Sequence, residues 1–134
     1  MPERTDIARA VFEAYRTNDR ALLERLFADG FSFTSPYDDA IDRKTYFERC
    51  WPERKRIAAH FLEEVVETGG RVFVLYLCHL THGRQFRNVE TFDFDNDRIR
   101  AIHVYFGAAY RDAPFENSHR PKRNDNDSPQ DRNP

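Results

Sequence analysis

The feature that most constrains the fold is a change in hydrophobic period at Ile57. Before this residue, apolar side chains recur at helical spacing, and after it they alternate with polar ones along several strand-like stretches. Helices followed by strands are typical of an α+β layout rather than of alternating α/β units. With 134 residues, the chain is expected to form one domain, which we place at residues 1–114.

Two amphipathic helices are predicted in the first part of the chain. Ile7 and Val11 belong to a helical apolar stripe, so residues 4–17 should form the first helix. Asn18 and Asp19 suit the N-cap of the second helix. It should end at Asp29-Gly30, where the glycine is free to adopt a left-handed conformation.

A short strand, a loop and a third helix are predicted next. The strand should begin at Phe31 and end at Pro36, and the loop should contain residues 37–39. The third helix should be capped near Asp42 and should carry Trp51. Pro52 should end that helix, because proline disfavours helical geometry in the residue before it.

The second part of the chain predicts an antiparallel meander, with strands at residues 57–68, 71–81, 85–95 and 98–107. Residues that tolerate positive φ stand between them, at Gly69-Gly70, His82-Gly83 and Asn96-Asp97. If His82-Gly83 forms a tight turn, Leu75 lies opposite Glu90 and His79 opposite Phe86. This register predicts that His79 and Glu90 share a face of the sheet.

A carboxylate interrupts the apolar face of the third predicted strand. Phe86, Asn88, Glu90, Phe92 and Phe94 share one parity, so Glu90 points the same way as three phenylalanines. A bare buried charge is very costly, so Glu90 must be paired, protonated or exposed to a cavity. The pattern predicts a polar spot within an apolar pocket.

Composition argues against several classes of partner. The chain has 21 basic and 23 acidic side chains and a formal charge of -2, so nucleic acid is not an expected partner. It contains no apolar run of membrane-spanning length and no signal peptide, which favours a cytoplasmic location. Cys50 and Cys78 are expected to be reduced core thiols. Residues 115–134 are polar and charged and are expected to form a disordered tail.

The chain resembles the nuclear transport factor 2-like superfamily, and within it the SnoaL-like and ketosteroid-isomerase-like domains. The resemblance covers residues 4–110 and includes the segment Leu26-Phe27-Ala28-Asp29-Gly30-Phe31-Ser32-Phe33-Thr34-Ser35-Pro36. Further sequence segments that support the resemblance are Ser35-Pro36-Tyr37-Asp38-Asp39, Cys50-Trp51-Pro52, Phe86-Arg87-Asn88-Val89-Glu90 and Val104-Tyr105-Phe106-Gly107. It implies a cone-shaped fold in which three N-terminal helices pack on a curved antiparallel meander and enclose an apolar cavity. It also implies a homodimer through the convex sides of the two sheets.

Most of the residues of the steroid-isomerase mechanism have no counterpart in this chain. That enzyme uses an aspartate base, with a tyrosine and a protonated aspartic acid as oxyanion donors. Ser35 stands where the base would precede proline, and a serine hydroxyl is too weak a base for this step. Val11 aligns with the tyrosine donor, although Tyr15 lies one helical turn further along. Glu90 is the counterpart of the protonated acid.

Four residues are candidates for acid/base chemistry. Glu90, hydrogen-bonded by Asn88 and near His79, would be the central acid/base group, with Tyr15 or Tyr37 donating to a substrate oxygen. Glu90 buried for packing alone is an equal alternative. Asp38 or Asp39 would act as a base if their loop folds over the cavity, and an ordinary solvated loop is the alternative. The expected ligand contacts are Ser35, Tyr37, Trp51, Phe86, Asn88 and Phe92.

No cofactor or metal is expected. The acidic residues and His79 lack the spacing of a metal site, and no glycine-rich phosphate loop is present. Two function classes follow. The chain is either a cofactor-free isomerase, lyase or cyclase for a small apolar carbonyl compound, or a non-catalytic ligand-binding or dimerisation domain. The sequence specifies neither the substrate nor the pathway.

Overall fold

The computed structural model describes residues 2–110. Its helices are α1 (Arg4–Thr17), α2 (Arg20–Leu26) and α3 (Arg43–Arg49), and a short 3-10 helix (Trp51–Arg56) follows α3. Its strands are β1 (Phe27–Ser35), β2 (Asp38–Asp42), β3 (Ile57–Thr68), β4 (Arg71–Leu80), β5 (Gln85–Asp95) and β6 (Arg98–Tyr110). The predicted tail at residues 115–134, and the domain boundary before it, lie outside the described residues.

The strands form one mixed sheet in the order β2-β1-β6-β5-β4-β3. The pairing of β1 with β6 is parallel, and every other pairing is antiparallel. The α+β layout and the meander from β3 to β6 are therefore confirmed. The two additional strands, β2 and β1, extend the sheet beyond β6.

Short-range signals placed the helix starts correctly. The side chain of Asp19 accepts a hydrogen bond from the Leu22 amide at 3.0 Å and caps α2. Asp42 caps α3 in the same way, accepting from the Thr45 amide at 2.8 Å. Both caps were predicted from the residue type at the start of an apolar periodic segment.

The predicted end of α2 at Asp29-Gly30 is wrong. The helix ends at Leu26, and Phe27 already belongs to β1, which pairs with Ile99 of β6. The Phe27 ring is fully buried and stacks on Phe31 with the ring centroids 3.9 Å apart. Tertiary pairing with a distant strand therefore overrides the local helical pattern.

The predicted loop at residues 37–39 and the extent of the third helix also need correction. Asp38–Asp42 forms β2, which pairs with β1. The Ala40 amide donates to Thr34 Oγ1 at 3.1 Å, which ties the two strands together. Trp51 lies beyond the end of α3, in the 3-10 helix that also contains Pro52.

The predicted register between β4 and β5 is wrong by one residue. His79 lies opposite Gln85, and Val74 lies opposite Glu90. The reason is a wider turn, in which the Leu80 amide donates to the Arg84 carbonyl at 2.9 Å. Because side chains alternate, a shift of one residue moves every β4 side chain to the other face.

The corrected register defines an inner face, on which the helices pack, and an outer face on the opposite side. On the inner face, Phe12 of α1 packs against Tyr76 and Phe92 with ring centroids 4.9 and 6.3 Å apart. The β4 residues of the inner face are Val72, Val74, Tyr76, Cys78 and Leu80, all of them buried. Phe73, Leu75, Leu77 and His79 alternate with them on the outer face.

No helix among the described residues combines the length and apolar character needed to cross a bilayer.

Candidate functional site

A cavity of about 380 Å³ lies between the helices and the inner face of the sheet. Its wall is mainly apolar and aromatic, and two clusters of polar groups border it. One cluster surrounds Glu90 of β5, and the other surrounds Asp38 of β2. An apolar pocket with few placed polar groups is the usual form of a small-molecule site.

A directed chain of hydrogen bonds ends on Glu90. The Gly107 amide donates to Asn88 Oδ1 at 3.3 Å, and Asn88 Nδ2 donates to the Tyr76 hydroxyl at 3.1 Å. Tyr76 in turn donates to Glu90 Oε2 at 2.5 Å. A backbone N–H can only donate, so it fixes the direction of every later bond. Oε1 is the oxygen of Glu90 that remains for a proton and for a ligand.

The protonation of Glu90 is set by its apolar surroundings. Burial raises the pKa of Glu90 from 4.5 to about 7, and the hydrogen bond from Tyr76 partly opposes this shift. The side chain retains some accessible surface because it borders the cavity. Near neutral pH, Glu90 can therefore both donate and accept a proton.

Two further tyrosines provide neutral hydrogen-bond donors. The hydroxyl groups of Tyr15 on α1 and Tyr46 on α3 are hydrogen-bonded to each other, and both residues line the cavity. Burial raises the pKa of Tyr15 and of Tyr46 far above neutral pH, and the nearby charge of Glu90 adds to both shifts. Since one hydroxyl proton is used within the pair, the other is available to a ligand oxygen.

The second polar cluster is an ion pair supported by a hydroxyl. Asp38 Oδ1 lies 2.8 Å from an Arg49 nitrogen, and Ser35 Oγ donates to Asp38 Oδ2 at 3.1 Å. The Asp38 side chain is 10% exposed and the Arg49 side chain 56% exposed. Burial and the charge of Asp38 raise the pKa of the neighbouring Cys50 thiol to about 12, so this cysteine is not a thiolate nucleophile.

The structure brings most of the predicted site residues to one cavity. They are Tyr15, Ser35, Tyr37, Asp38, Phe86, Asn88 and Glu90. His79 is a correction, because the register shift turns it to the outer face, where its ring lies 4.9 Å from that of Phe61. Trp51 and Phe92 are buried in the core but do not line the cavity.

Several cavity residues were absent from the predicted site, among them Tyr76, Tyr46 and His60. Tyr76, which binds Glu90 directly, was assigned to the opposite face by the same register error. Tyr46, whose hydroxyl group is hydrogen-bonded to that of Tyr15, was not among the predicted site residues. His60 of β3 had no clear face in the sequence, and it lies in the cavity wall. With the correct turn length after Leu80, the sequence would have placed Tyr76 on the same face of the sheet as Glu90.

Residues 2–110 contain no cluster of three or more His, Cys, Asp or Glu side chains arranged to hold a metal ion.

The comparisons with known proteins identify the fold through solved structures. No protein-family model matches the chain, and no curated protein matches it. An NTF2-like protein of unknown function from Cytophaga hutchinsonii is 16% identical, with a TM-score of 0.66 over 79% of this chain and 91% of that chain. An NTF2-like protein of unknown function from Burkholderia pseudomallei is 20% identical, with a TM-score of 0.63 over 79% and 92%.

IdmH from Streptomyces antibioticus, a proposed polyketide cyclase, is also similar to this chain. It is 16% identical and superposes with a TM-score of 0.68 over 78% of this chain and 92% of its own. At this level of identity, the likeness establishes architecture and leaves activity to be argued from the site. The chain has the nuclear transport factor 2-like fold.

Proposed function

We propose that the cavity takes a small, largely apolar carbonyl compound and that Glu90 performs acid/base chemistry on it without a cofactor. The observation that carries this proposal is the directed hydrogen-bond chain, which leaves Oε1 of a carboxyl group with a raised pKa free to act. A purely structural carboxyl group would be expected to use both oxygens in the protein's own hydrogen bonds.

The carbonyl oxygen of the ligand would accept a hydrogen bond from Glu90, with Tyr15 or Tyr46 as a second donor. Proton donation to this oxygen favours the enol form, which is common to isomerisation, elimination and intramolecular cyclisation. The apolar wall excludes water and strengthens these hydrogen bonds. Asp38, Tyr37 and Ser35 would contact the other end of the ligand.

The size and lining of the cavity support this ligand class. A volume of about 380 Å³ is within the usual range for small-molecule sites, and Phe86 and Phe106 offer aromatic contact surface. IdmH, the proposed polyketide cyclase with the same fold, is consistent with a carbonyl-rich substrate for this chain. This support is an analogy of fold, and the site residues provide the chemical argument.

The proposal is tested by finding a ligand and then removing the acid. A thermal-shift screen of cyclic and aromatic ketones should reveal compounds that raise the melting temperature, because a ligand specific to the folded state stabilises it. Glu90→Gln should then reduce turnover of a bound ketone by about 100-fold or more, since general acid catalysis contributes that much. Glu64→Gln, on an exposed β3 residue, is the matched control. Unchanged turnover in Glu90→Gln would refute the proposal.

A non-catalytic ligand-binding domain is the second candidate function. It is favoured by Ser35, which stands at the position of the isomerase base and donates to Asp38. Arg49 holds Asp38 in an ion pair, so this carboxylate is already engaged within the protein. A ketone that binds the wild type, makes contact with Glu90 and is recovered unchanged would support this second function.

We also propose that the protein forms a homodimer through the outer face of the sheet. Phe61, Val66, Phe73 and Tyr105 are large apolar residues with 51%, 48%, 37% and 58% of their surface exposed. Phe61, Phe73 and Tyr105 project from three strands of this face, and such patches mark association surfaces. Sedimentation velocity should show a dimer, and Phe61→Asp should produce monomers. A wild-type monomer at high concentration would refute this association.

A further inference from the structure

His60 is a cavity residue with a distinctive aromatic environment. Its ring makes edge contacts with Phe12 and Tyr15 of α1 and with Tyr76 of β4, with ring centroids 5.1, 5.9 and 5.3 Å apart. Tyr15 and Tyr76 carry hydroxyl groups of the two hydrogen-bonded sets described above. His60 therefore lies beside both sets of hydroxyl groups in the cavity wall.

A strand irregularity directs His60 inward. The pairing of β3 with β4 shifts between Ile57 and Ala59, and His60 then lies opposite Cys78 of the inner face. Bulges of this kind re-aim side chains near active sites. Without the shift, the alternation that places Ile57 opposite Leu80 would turn His60 to the outer face.

The imidazole nitrogens of His60 are available for a hydrogen bond with a ligand. No hydrogen bond or ion pair connects them to another residue in the part of the chain that the structure describes. The enclosed polar atoms that lack a hydrogen bond belong to Asp38, Arg43 and His103, so the His60 nitrogens keep open space beside them. A histidine retained only for its hydrogen bonds would not have this arrangement.

The surroundings keep His60 neutral. Burial lowers the pKa of His60 from 6.5 to about 4, so one ring nitrogen holds a free lone pair at neutral pH. Glu90 accepts a hydrogen bond from the Tyr76 hydroxyl, and its pKa is shifted in the opposite direction, upward. Two titratable groups whose environments separate their protonation states in this way are a typical acid/base pair.

We propose that His60 is the catalytic base of the cavity and that Glu90 is its acid partner. This inference rests on the proposed function. The lone pair of a His60 nitrogen takes a proton from the carbon next to the ligand carbonyl. The electrons of that C–H bond form a C=C bond, and the C=O π electrons take the proton from Glu90 Oε1.

The products of this step are an enol, an imidazolium and a carboxylate. The two new charges have opposite signs, and both residues line the same apolar cavity. Tyr76 stabilises the carboxylate through the hydrogen bond that it already makes. Return of the His60 proton to carbon and of the enol proton to Glu90 regenerates both residues. His60 thus takes the role that Ser35 cannot perform.

The experiment measures hydrogen–deuterium exchange at the carbon next to a ketone. The probe is 2-tetralone in D2O, followed by the loss of its proton NMR signal, with the rate in buffer subtracted. His60→Phe preserves an aromatic ring and removes the base, and His60→Gln is the second variant if His60→Phe does not fold. His79→Phe is the matched control, because His79 lies on the outer face.

The wild type is expected to exchange the probe faster than buffer, and either His60 variant to lose about 100-fold of that rate. The shift in melting temperature on binding 2-tetralone should be retained in the variant, and His79→Phe should behave as the wild type. If a folded His60 variant exchanges the probe at the wild-type rate while Glu90→Gln is inactive, the proposed role of His60 is refuted and that of Glu90 is retained. Absence of exchange in the wild type would overturn the proposed function and this inference together.

Discussion

The two faces of the sheet treat polar side chains differently. On the inner face, Tyr76, Asn88 and Glu90 form one connected set of hydrogen bonds within an apolar wall. On the outer face, Arg71 and Asp93 form an ion pair in which Arg71 Nε lies 2.6 Å from Asp93 Oδ1. On the inner face, burial raises the pKa of Glu90 and of Tyr76, whereas on the outer face Arg71 and Asp93 pair directly with each other.

Two histidines illustrate the same contrast. His60 and His79 lie on adjacent strands, β3 and β4, and each has an aromatic neighbour. His60 faces the cavity, and burial lowers its pKa to about 4. His79 contacts Phe61, a ring with 51% of its surface exposed. Of these two histidines, only His60 therefore borders the cavity in which a ligand would bind.

The largest expected difference between the faces is in packing. Phe92 is fully buried on the inner face, so Phe92→Ala should reduce the free energy of unfolding by about 3–5 kcal/mol. Phe61→Ala on the outer face should cost about 1 kcal/mol or less in the monomer, because its ring is already half exposed. Urea denaturation at low protein concentration measures both values, and equal losses would remove the distinction.

The next effect concerns pH. The pKa of Glu90 is raised from 4.5 to about 7, so the stability that its protonated form provides below pH 4.5 is lost as pH rises to 7. The pKa of His60 is lowered from 6.5 to about 4, so the stability that its neutral form provides above pH 6.5 is lost as pH falls to 4. Each of these two effects changes the free energy of unfolding by roughly 3 kcal/mol across the pH range between its two pKa values.

These two slopes have opposite signs and should nearly cancel in the wild type between pH 4.5 and 6.5. Glu90→Gln should therefore give a protein whose stability, relative to the wild type, increases with pH across this window. His60→Phe should give the opposite trend. Denaturation curves at several pH values measure these slopes, and parallel curves for the three proteins would contradict both assignments.

A smaller effect is expected at Gly107, where β6 approaches β5. A Cβ atom at this position would overlap the carbonyl oxygen of Arg87, so Gly107→Ala should cost about 1–3 kcal/mol. It should also displace the amide that orients Asn88. Gly30→Ala is the control, because its added Cβ meets open space. Equal unfolding curves for these two variants would contradict the expectation.

The smallest effect is expected for Tyr105 on the outer face. Its surface is 58% exposed, so Tyr105→Ser should change the unfolding free energy of the monomer by less than about 0.5 kcal/mol. Thermal denaturation at low concentration measures this change. A larger loss at high concentration only would indicate that Tyr105 contributes to association rather than to folding.

The sequence predicted most of the elements because local signals specify them. Asp19 and Asp42 marked helix starts, and the glycines at 69 and 70, with φ of 60° and 82°, marked a turn. Glu90 stood out because a carboxylate among phenylalanines is anomalous on any strand. These features depend on residue type and on spacing within a few positions.

Pairing between strands could not be predicted in the same way. The turn before Arg84 is one residue wider than expected, and this reversed the face of Tyr76 and His79. Irregular pairing near Ala59 likewise left His60 without an assigned face. Nothing in the local sequence of β1 indicates that it pairs with β6. Such features arise from long-range contacts rather than from local propensity.

The parallel pairing of β1 with β6 has a consequence for biosynthesis. Arg98 donates to the carbonyl of Phe27, a contact between residues 71 positions apart in the chain. During synthesis β1 is made before β6, so the edge of β1 that pairs with β6 stays uncovered until β6 has left the ribosome. Until then, its phenylalanines are open to chaperones and to wrong partners, and folding is slowed by the distance between the partners.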